Sequence, residues 1–274
     1  MQINLSLAQT LRQATKEVIK NVEVSQNLDL RNFIVVPDRF SLQAEKLLFQ
    51  ELGISSTFNI DVISISKLAS LVLKLSGNEF KTQSNLEGML LVYKILIEHQ
   101  AEFESLKDAN LSIDLAKEIF LTISQLKSCE ISADRFLKSA NELANQKLID
   151  IAKIYEFYET SEREKIDAAD LITLFAQQIE ESELIKNSNF YFAEFDSFTS
   201  QVKTIIELLV KCSKSVSIAV CSTTGENEYI YEKDVLQKVA QICENLKIKP
   251  NIIICEKNQN EFQKHIADNL FAFK

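Results

Sequence analysis

No segment of the form G-x-x-x-x-G-K-[ST] occurs in the chain. The backbone amides and lysine that cradle a triphosphate in nucleotide motors therefore have no sequence to supply them. Glycine and proline are scarce, four and two residues, which predicts short loops and abundant regular structure. No apolar run approaches the roughly 20 residues that span a bilayer. The N-terminus lacks the basic start and apolar core of a signal peptide, so a cytoplasmic location with no membrane contact is expected. The five cysteines (Cys129, Cys212, Cys221, Cys243, Cys255) are scattered and never spaced C-x-x-C. They read as small buried thiols rather than zinc or iron–sulfur ligands. His99 and His265 are isolated and read as surface or helix-end residues.

What is present is 274 residues with ordinary globular usage, 46% hydrophobic and 25% charged, enough for one large or two linked domains. The net charge of −9 is unevenly spread. Residues 1–81 hold 9 Lys and Arg against 8 Asp and Glu, and residues 189–274 hold 10 against 11. Residues 82–188 hold 11 against 20 and carry the whole surplus. That asymmetry implies two bodies, and it argues against DNA lying along the middle one, since phosphate contacts need cations.

The first part reads as three strand–helix pairs: strand Ile3–Leu5 with helix Leu7–Asn21, strand Asn32–Val36 with a helix from Ser41 to Glu51, and strand Ile60–Ile63 with helix Ser66–Leu75. From about residue 84 to 182 the apolar spacing is helical, with Leu115, Ile119, Ile123 and Leu126 as one stripe and Leu148, Ile151, Ala152, Tyr155 and Tyr158 as another. Four to six helices and no strand are expected there. Alternation then returns: strand Asn189–Ala193, helix Thr199–Cys212, strand Ser215–Val220, helix Tyr231–Asn245, strand Asn251–Cys255. Strands alternating with helices predict an α/β domain with a parallel sheet. Its parts are residues 1–81 and 186–274, interrupted by an all-helical insertion over 82–185.

Asn189-Phe190-Tyr191-Phe192-Ala193-Glu194-Phe195-Asp196 is an aromatic run that ends in acidic residues and opens a helix. Nucleotide-hydrolysing α/β domains present their Mg²⁺ carboxylate in this way. The strand-end position holds Ala193, which ligates nothing. Glu194 or Asp196 offers oxygen, but no phosphate loop exists to share the ion; Leu5 to Ala14 reads LSLAQTLRQA, without Gly or Lys. No catalytic, cofactor or metal residue is assigned.

Val36-Pro37-Asp38-Arg39-Phe40-Ser41 lies at the C-terminal end of a parallel strand, the edge where open α/β sheets bind ligands. Arg39 and Ser41 either contact phosphate or a base edge, or Ser41 and Asp38 merely cap the helix while Arg39 is solvated. Ile65, Ser66 and Lys67 repeat the arrangement after the next strand, with Ser66 equally explained as an N-cap. Phe195 and Phe198 are either base-stacking rings or core. Glu162 to Lys165 reads as a solvated charged turn, and Asp167 and Asp170 as helix caps.

In order, VVPDRFSLQAEKLLF, VISISKLASLVLKLSG, KLIDIAKIYEFYE, KIDAADLITL and NFYFAEFDSFTSQVKTIIELL resemble AddB/RexB-type helicase–nuclease subunits, from about residue 32 to 222. The resemblance implies a RecA-like domain of superfamily 1 helicase descent with a helical insertion. It further implies a non-motor module contacting single-stranded DNA in double-strand break processing and recombinational repair, without hydrolysing ATP. The implied partner is an AddA/RexA-type motor subunit. DNA contacts carry over to Arg39, Ser41, Ile65, Lys67, Phe195 and Phe198. Ser70 stands where some relatives have a large aromatic and Ile65 where they have Phe, each removing stacking surface worth about 1–3 kcal/mol. An iron–sulfur cluster and Mg²⁺ belong to a nuclease region expected beyond residue 274. The alternative is an assembly platform for the motor that touches no DNA.

Overall fold

A computed structural model of the chain describes residues 2–8, 10–23, 30–162, 164–221 and 230–255, with backbone only for 230–233. Its elements in chain order are β1 (Ile3–Ala8), α1 (Leu11–Lys20), β2 (Arg31–Val35), α2 (Ser41–Leu52), β3 (Ile60–Ile63) and α3 (Ile65–Leu75). Then come β4 (Lys81–Thr82), α4 (Asn85–Glu98), α5 (Ile113–Ser128), α6 (Ala133–Glu142), α7 (Gln146–Thr160), β5 (Lys165–Ile166), α8 (Ala168–Gln178) and α9 (Glu183–Lys186). The last are β6 (Ser188–Phe192), α10 (Ser200–Cys212), β7 (Ser215–Cys221), α11 (Ile230–Leu246) and β8 (Asn251–Ile254). Among the described residues no helix is long and apolar enough to cross a membrane.

Two compact units result: Met1–Ser64 with Ile185–Ser197 and Leu209–Lys274, and Ile65–Leu184 with Phe198–Leu208. The first holds a six-stranded sheet in the order β3-β2-β6-β7-β1-β8, every pair parallel. The α/β class and parallel sheet expected from the alternation are present. β6 is buried along its whole length, as a central strand covered on both faces must be. On one face Ile34, Val36, Tyr191 and Ala193 pack with Val18 and Ile19 of α1 and with Leu47 and Leu48 of α2. Each large side chain buried this way contributes about 1.5–3 kcal/mol. Opposite, Phe33 stacks on Phe190 at 5.4 Å. α2 ends at Gly53 with φ 62°, the left-handed C-terminal stop a residue without Cβ adopts without strain.

In the second unit α4, α5 and α7 share a core of Val92, Ile95, Leu96, Ile119, Ile123 and Tyr158, among others. α4 starts with a reciprocal capping box between Ser84 and Glu87. Lys165 and the Ser84 amide and hydroxyl pull the Glu87 carboxyl down to about 2. Gly88 lets α4 approach α5, since a Cβ there would lie 2.3 Å from the Phe120 ring.

Several expectations need correction. β1 runs to Ala8 and α1 starts only at Leu11, because Thr10, with its hydroxyl on the Gln13 amide, is the cap. Ser41 is not an N-cap: a 3₁₀ turn over Asp38–Phe40 precedes α2, which begins at Ser41 itself. Ser66 lies inside the first turn of α3. The helical region contains a short parallel pair, β4 with β5, where no strand was expected. α3, expected in the sheet domain, packs against α8 and belongs with the helical unit, and α10 passes from one unit to the other. Of the described cysteines only Cys243 is buried, which pushes its thiol up, and Cys129 is exposed. Asp167 caps α8 as expected, taking the amides of Ala169 and Asp170. His99 ends α4, as a helix-end residue should. Arg163 and His265 lie outside the described residues.

Candidate nucleic-acid interface

The C-terminal ends of β1, β2 and β6 decide what the first unit can hold. β7 separates β1 from β6, so the turn after β1 and the acidic segment after β6 flank one strand. β1 ends at Ala8 and α1 begins at Leu11, with Thr10 as its cap. The Thr10 hydroxyl and carbonyl accept the Gln13 amide, and the carbonyl also accepts that of Ala14. Thr10 thus takes two of the first four amides of α1, and no glycine or lysine lies between Leu5 and Ala14 to build a phosphate cradle with the others.

β2 pairs with β6, and their ends bring two sequence-separated groups together. Arg39 Nη2 donates to Asp196 Oδ2 at 3.0 Å, with side chains 68% and 67% exposed. The guanidinium also lies 4.8 Å from the Phe40 ring centroid. An exposed pair of this kind is worth about 0–1 kcal/mol, so a phosphate can displace the carboxylate at small cost. Asp196, considered as a metal ligand from sequence, is engaged by the cation expected to meet DNA. The Ser41 hydroxyl is buried without a hydrogen-bond partner among the described residues. Phe195 is half-buried, its ring 5.9 Å from that of Phe192.

Ala193 is buried, its amide on the Val35 carbonyl. Glu194 follows in the left-handed region at φ 61° and is 9% exposed. A non-glycine residue there carries roughly 1–2 kcal/mol of strain. Such strain is invisible in sequence.

In the second unit, Lys67 is exposed on the first turn of α3, while Ile65 is buried beside it. Ile65 and Ser66 line a cavity of about 270 Å³ with Gln83, Ser124, Thr199 and Gln201. Phe198 is 2% exposed, so its ring belongs to the core and presents no face to a base; that expectation is corrected. The structure thus joins Arg39 to Asp196, keeps Phe195 and Lys67 accessible, and withdraws Phe198 and Ile65 from the surface.

Sequence reasoning missed the strongest electrostatic feature. Lys127, 7% exposed, places Nζ 2.8 Å from Glu159, 2.7 Å from Asp167 and 2.7 Å from Asp170. These carboxylates have the spacing of a metal set, but the lysine ammonium sits among them. Burial alone would push the Lys127 pKa down; hydrogen bonds to three carboxylates outweigh it and the net direction is up. Asp170 is pushed up by burial and by Asp167 and Glu159, because one ammonium serves three acids. The signal available was position: Lys127 falls four residues after Ile123, on the buried stripe of α5.

The family profile described as "ADDB, N-terminal" matches residues 11–269. The chain is similar to an ATP-dependent helicase/deoxyribonuclease subunit of Clostridium botulinum strain Hall, 27% identical over 277 residues. That alignment covers 93% of this chain and 24% of the relative. The Clostridium kluyveri protein of the same name is 27% identical, covering 90% and 24%. The Oceanobacillus iheyensis one is 26% identical, covering 78% and 20%. The chain spans about a quarter of the length of these relatives.

Proposed function

Because this chain belongs to the ADDB N-terminal family, we propose that it is the non-motor, helicase-like module of a helicase–nuclease complex that processes DNA double-strand breaks for recombinational repair. It contacts single-stranded DNA and does not hydrolyse ATP. Its partner is the motor subunit of the complex, of AddA/RexA type. We assign no cofactor to this segment and place iron–sulfur and Mg²⁺ chemistry in sequence beyond residue 274. Cytoplasmic localisation belongs to the same reading.

The observation that carries this reading is the turn after β1. A triphosphate site needs a glycine-rich loop and a lysine there; the chain has neither between Leu5 and Ala14, and Thr10 caps the start of α1. The edge keeps Arg39 for phosphate and Phe195 for a base face, and α3 supplies Lys67. The test is the affinity of short single strands at low salt for the parent and for Arg39→Ala/Lys67→Ala. The variant is expected to bind at least tenfold more weakly, with a log–log salt slope reduced by about 1.4 for two lost phosphate contacts. Unchanged affinity would overturn the DNA contact.

The surplus of carboxylates in residues 82–188, 20 against 11 cations, favours a second reading as an assembly platform that touches no DNA. Co-purification with the cognate motor subunit, undiminished in the Arg39/Lys67 variant that has lost DNA affinity, separates the two roles.

A further inference from the structure

α4 is apolar on two sides. Val92, Ile95 and Leu96 face the core shared with α5 and α7. The other side carries Leu86, Leu90 and Ile97, exposed by 59%, 46% and 55%. Spaced by four and seven residues, these three fall within roughly 40° of one another around the helix axis. α6 sets the contrast: its six exposed residues, Asp134, Arg135, Lys138, Ser139, Asn141 and Glu142, are all polar. Six residues are exposed on α4 too, and half of them are large and apolar. Helices that are apolar all round are covered on all sides. α5, packed on α4, exposes Ile113 and Leu121 besides.

Charge decides what can cover this face. At the Ile97 end of the stripe the chain runs through residues 98–118 into α5, and every Asp, Glu and Lys there is exposed. Six are carboxylates, Glu98, Glu102, Glu104, Asp108, Asp114 and Glu118, against Lys107 and Lys117. Lys94, the one cation of α4, is held by Glu98 at 3.8 Å. An apolar face with this acidic border repels nucleic acid and anionic lipid. A second copy of the chain would bring the same carboxylates against these, which opposes self-association through this face. Its complement is a protein surface that joins apolar side chains to a surplus of cations.

We propose that the exposed face of α4 docks an amphipathic helix of a partner protein, one whose apolar stripe is flanked by Lys and Arg. Anchors at i, i+3 or i+4 and i+7 of such a helix suit a stripe of this spacing. Leu86, Leu90 and Ile97 supply the affinity by leaving water, and the carboxylates at their end set the approach rate and its salt dependence. Resting on the reading of this chain as one subunit of a complex, the docking helix is assigned to the motor subunit.

The test is the binding kinetics of the cognate motor subunit with the parent chain and two variants at several salt concentrations, beside sedimentation of the chain alone. Leu90→Lys/Ile97→Lys is expected to bind at least tenfold more weakly. Its single-strand affinity and unfolding temperature should stay at the parent's, since both positions are exposed. Glu104→Lys/Glu118→Lys is expected to associate severalfold more slowly, with a flatter salt dependence. If the parent binds and the first variant binds equally well, the docking site is overturned while the motor subunit remains a partner through another surface. Should that variant misfold, an unchanged association rate in the second overturns the site by itself. No binding by the parent would overturn the partnership and the docking site with it. Self-association of the parent that the Leu90/Ile97 variant loses would assign the face to a second copy and overturn the proposal.

Discussion

The two units bury polar groups by opposite means. The sheet unit uses neutral carboxamides and hydroxyls, with Asn32 taking hydrogen bonds from Asn189 and Tyr191 and giving its own to the Glu23 carbonyl. The helical unit uses charge: Lys127 among three acids, and Asp150 holding the amides of Glu104 and Ser105 together with the Ser105 hydroxyl. Register explains the difference. In-register strands bring short amides within reach of one another, whereas helices need long ionic side chains to bridge. The neutral ladder holds no group that titrates in acid, whereas the ionic links weaken as their carboxylates protonate.

Breaking the Lys127 cage should have the largest effect. Lys127→Met leaves three acids facing one another and should cost the helical unit about 3–5 kcal/mol at neutral pH in urea unfolding. The deficit should shrink as acid protonates the orphaned carboxylates, of which Asp170 already has its pKa pushed up by burial. Asn32→Ala should cost about 1–3 kcal/mol by orphaning Asn189 and Tyr191, with no change in that deficit between mildly acidic and neutral pH.

Asp150→Asn tests the sign from the other side. Burial would raise this carboxyl, but the Ser105 hydroxyl and amide, with the Glu104 amide, hold it below its ordinary value. Its stabilisation is therefore present above the unfolded carboxylate range and lost as pH falls through the folded value. The variant should be about 2 kcal/mol less stable at neutral pH, and the gap should close below about pH 4. Gly88→Ala should cost about 1–2 kcal/mol, as overpacking against Phe120 exceeds the gain in helix propensity. Arg39→Ala should change stability by less than about 1 kcal/mol while weakening single-strand binding, which separates a surface function from a structural one.

The class of fold was legible because alternation and apolar runs report burial directly. Continuous apolar runs were not needed at every strand: Phe33 to Val36 and Phe190 to Phe192 sufficed to mark two central ones. The start of α1 was misplaced because Thr10 sets its entry, and Ser41 opens α2 as its first residue rather than its cap because a 3₁₀ turn precedes it. The edge residues Arg39 and Asp196 were identified singly, but their pairing depends on β2 lying beside β6. Asn4, Asn32, Asn189 and Asn251 each look like an ordinary strand start until the register aligns them. Lys127 and Asp150 occupy buried positions on helices whose apolar stripes were recognised without them.

The proposed DNA-contacting role requires that the sheet edge after β1 grip no nucleotide, and calorimetric titration of the chain with Mg²⁺ and ATP tests that requirement most directly. No saturable heat and no nucleotide-dependent rise in unfolding temperature are expected. A stoichiometric Mg²⁺–ATP complex, weakened by Glu194→Gln, would contradict it.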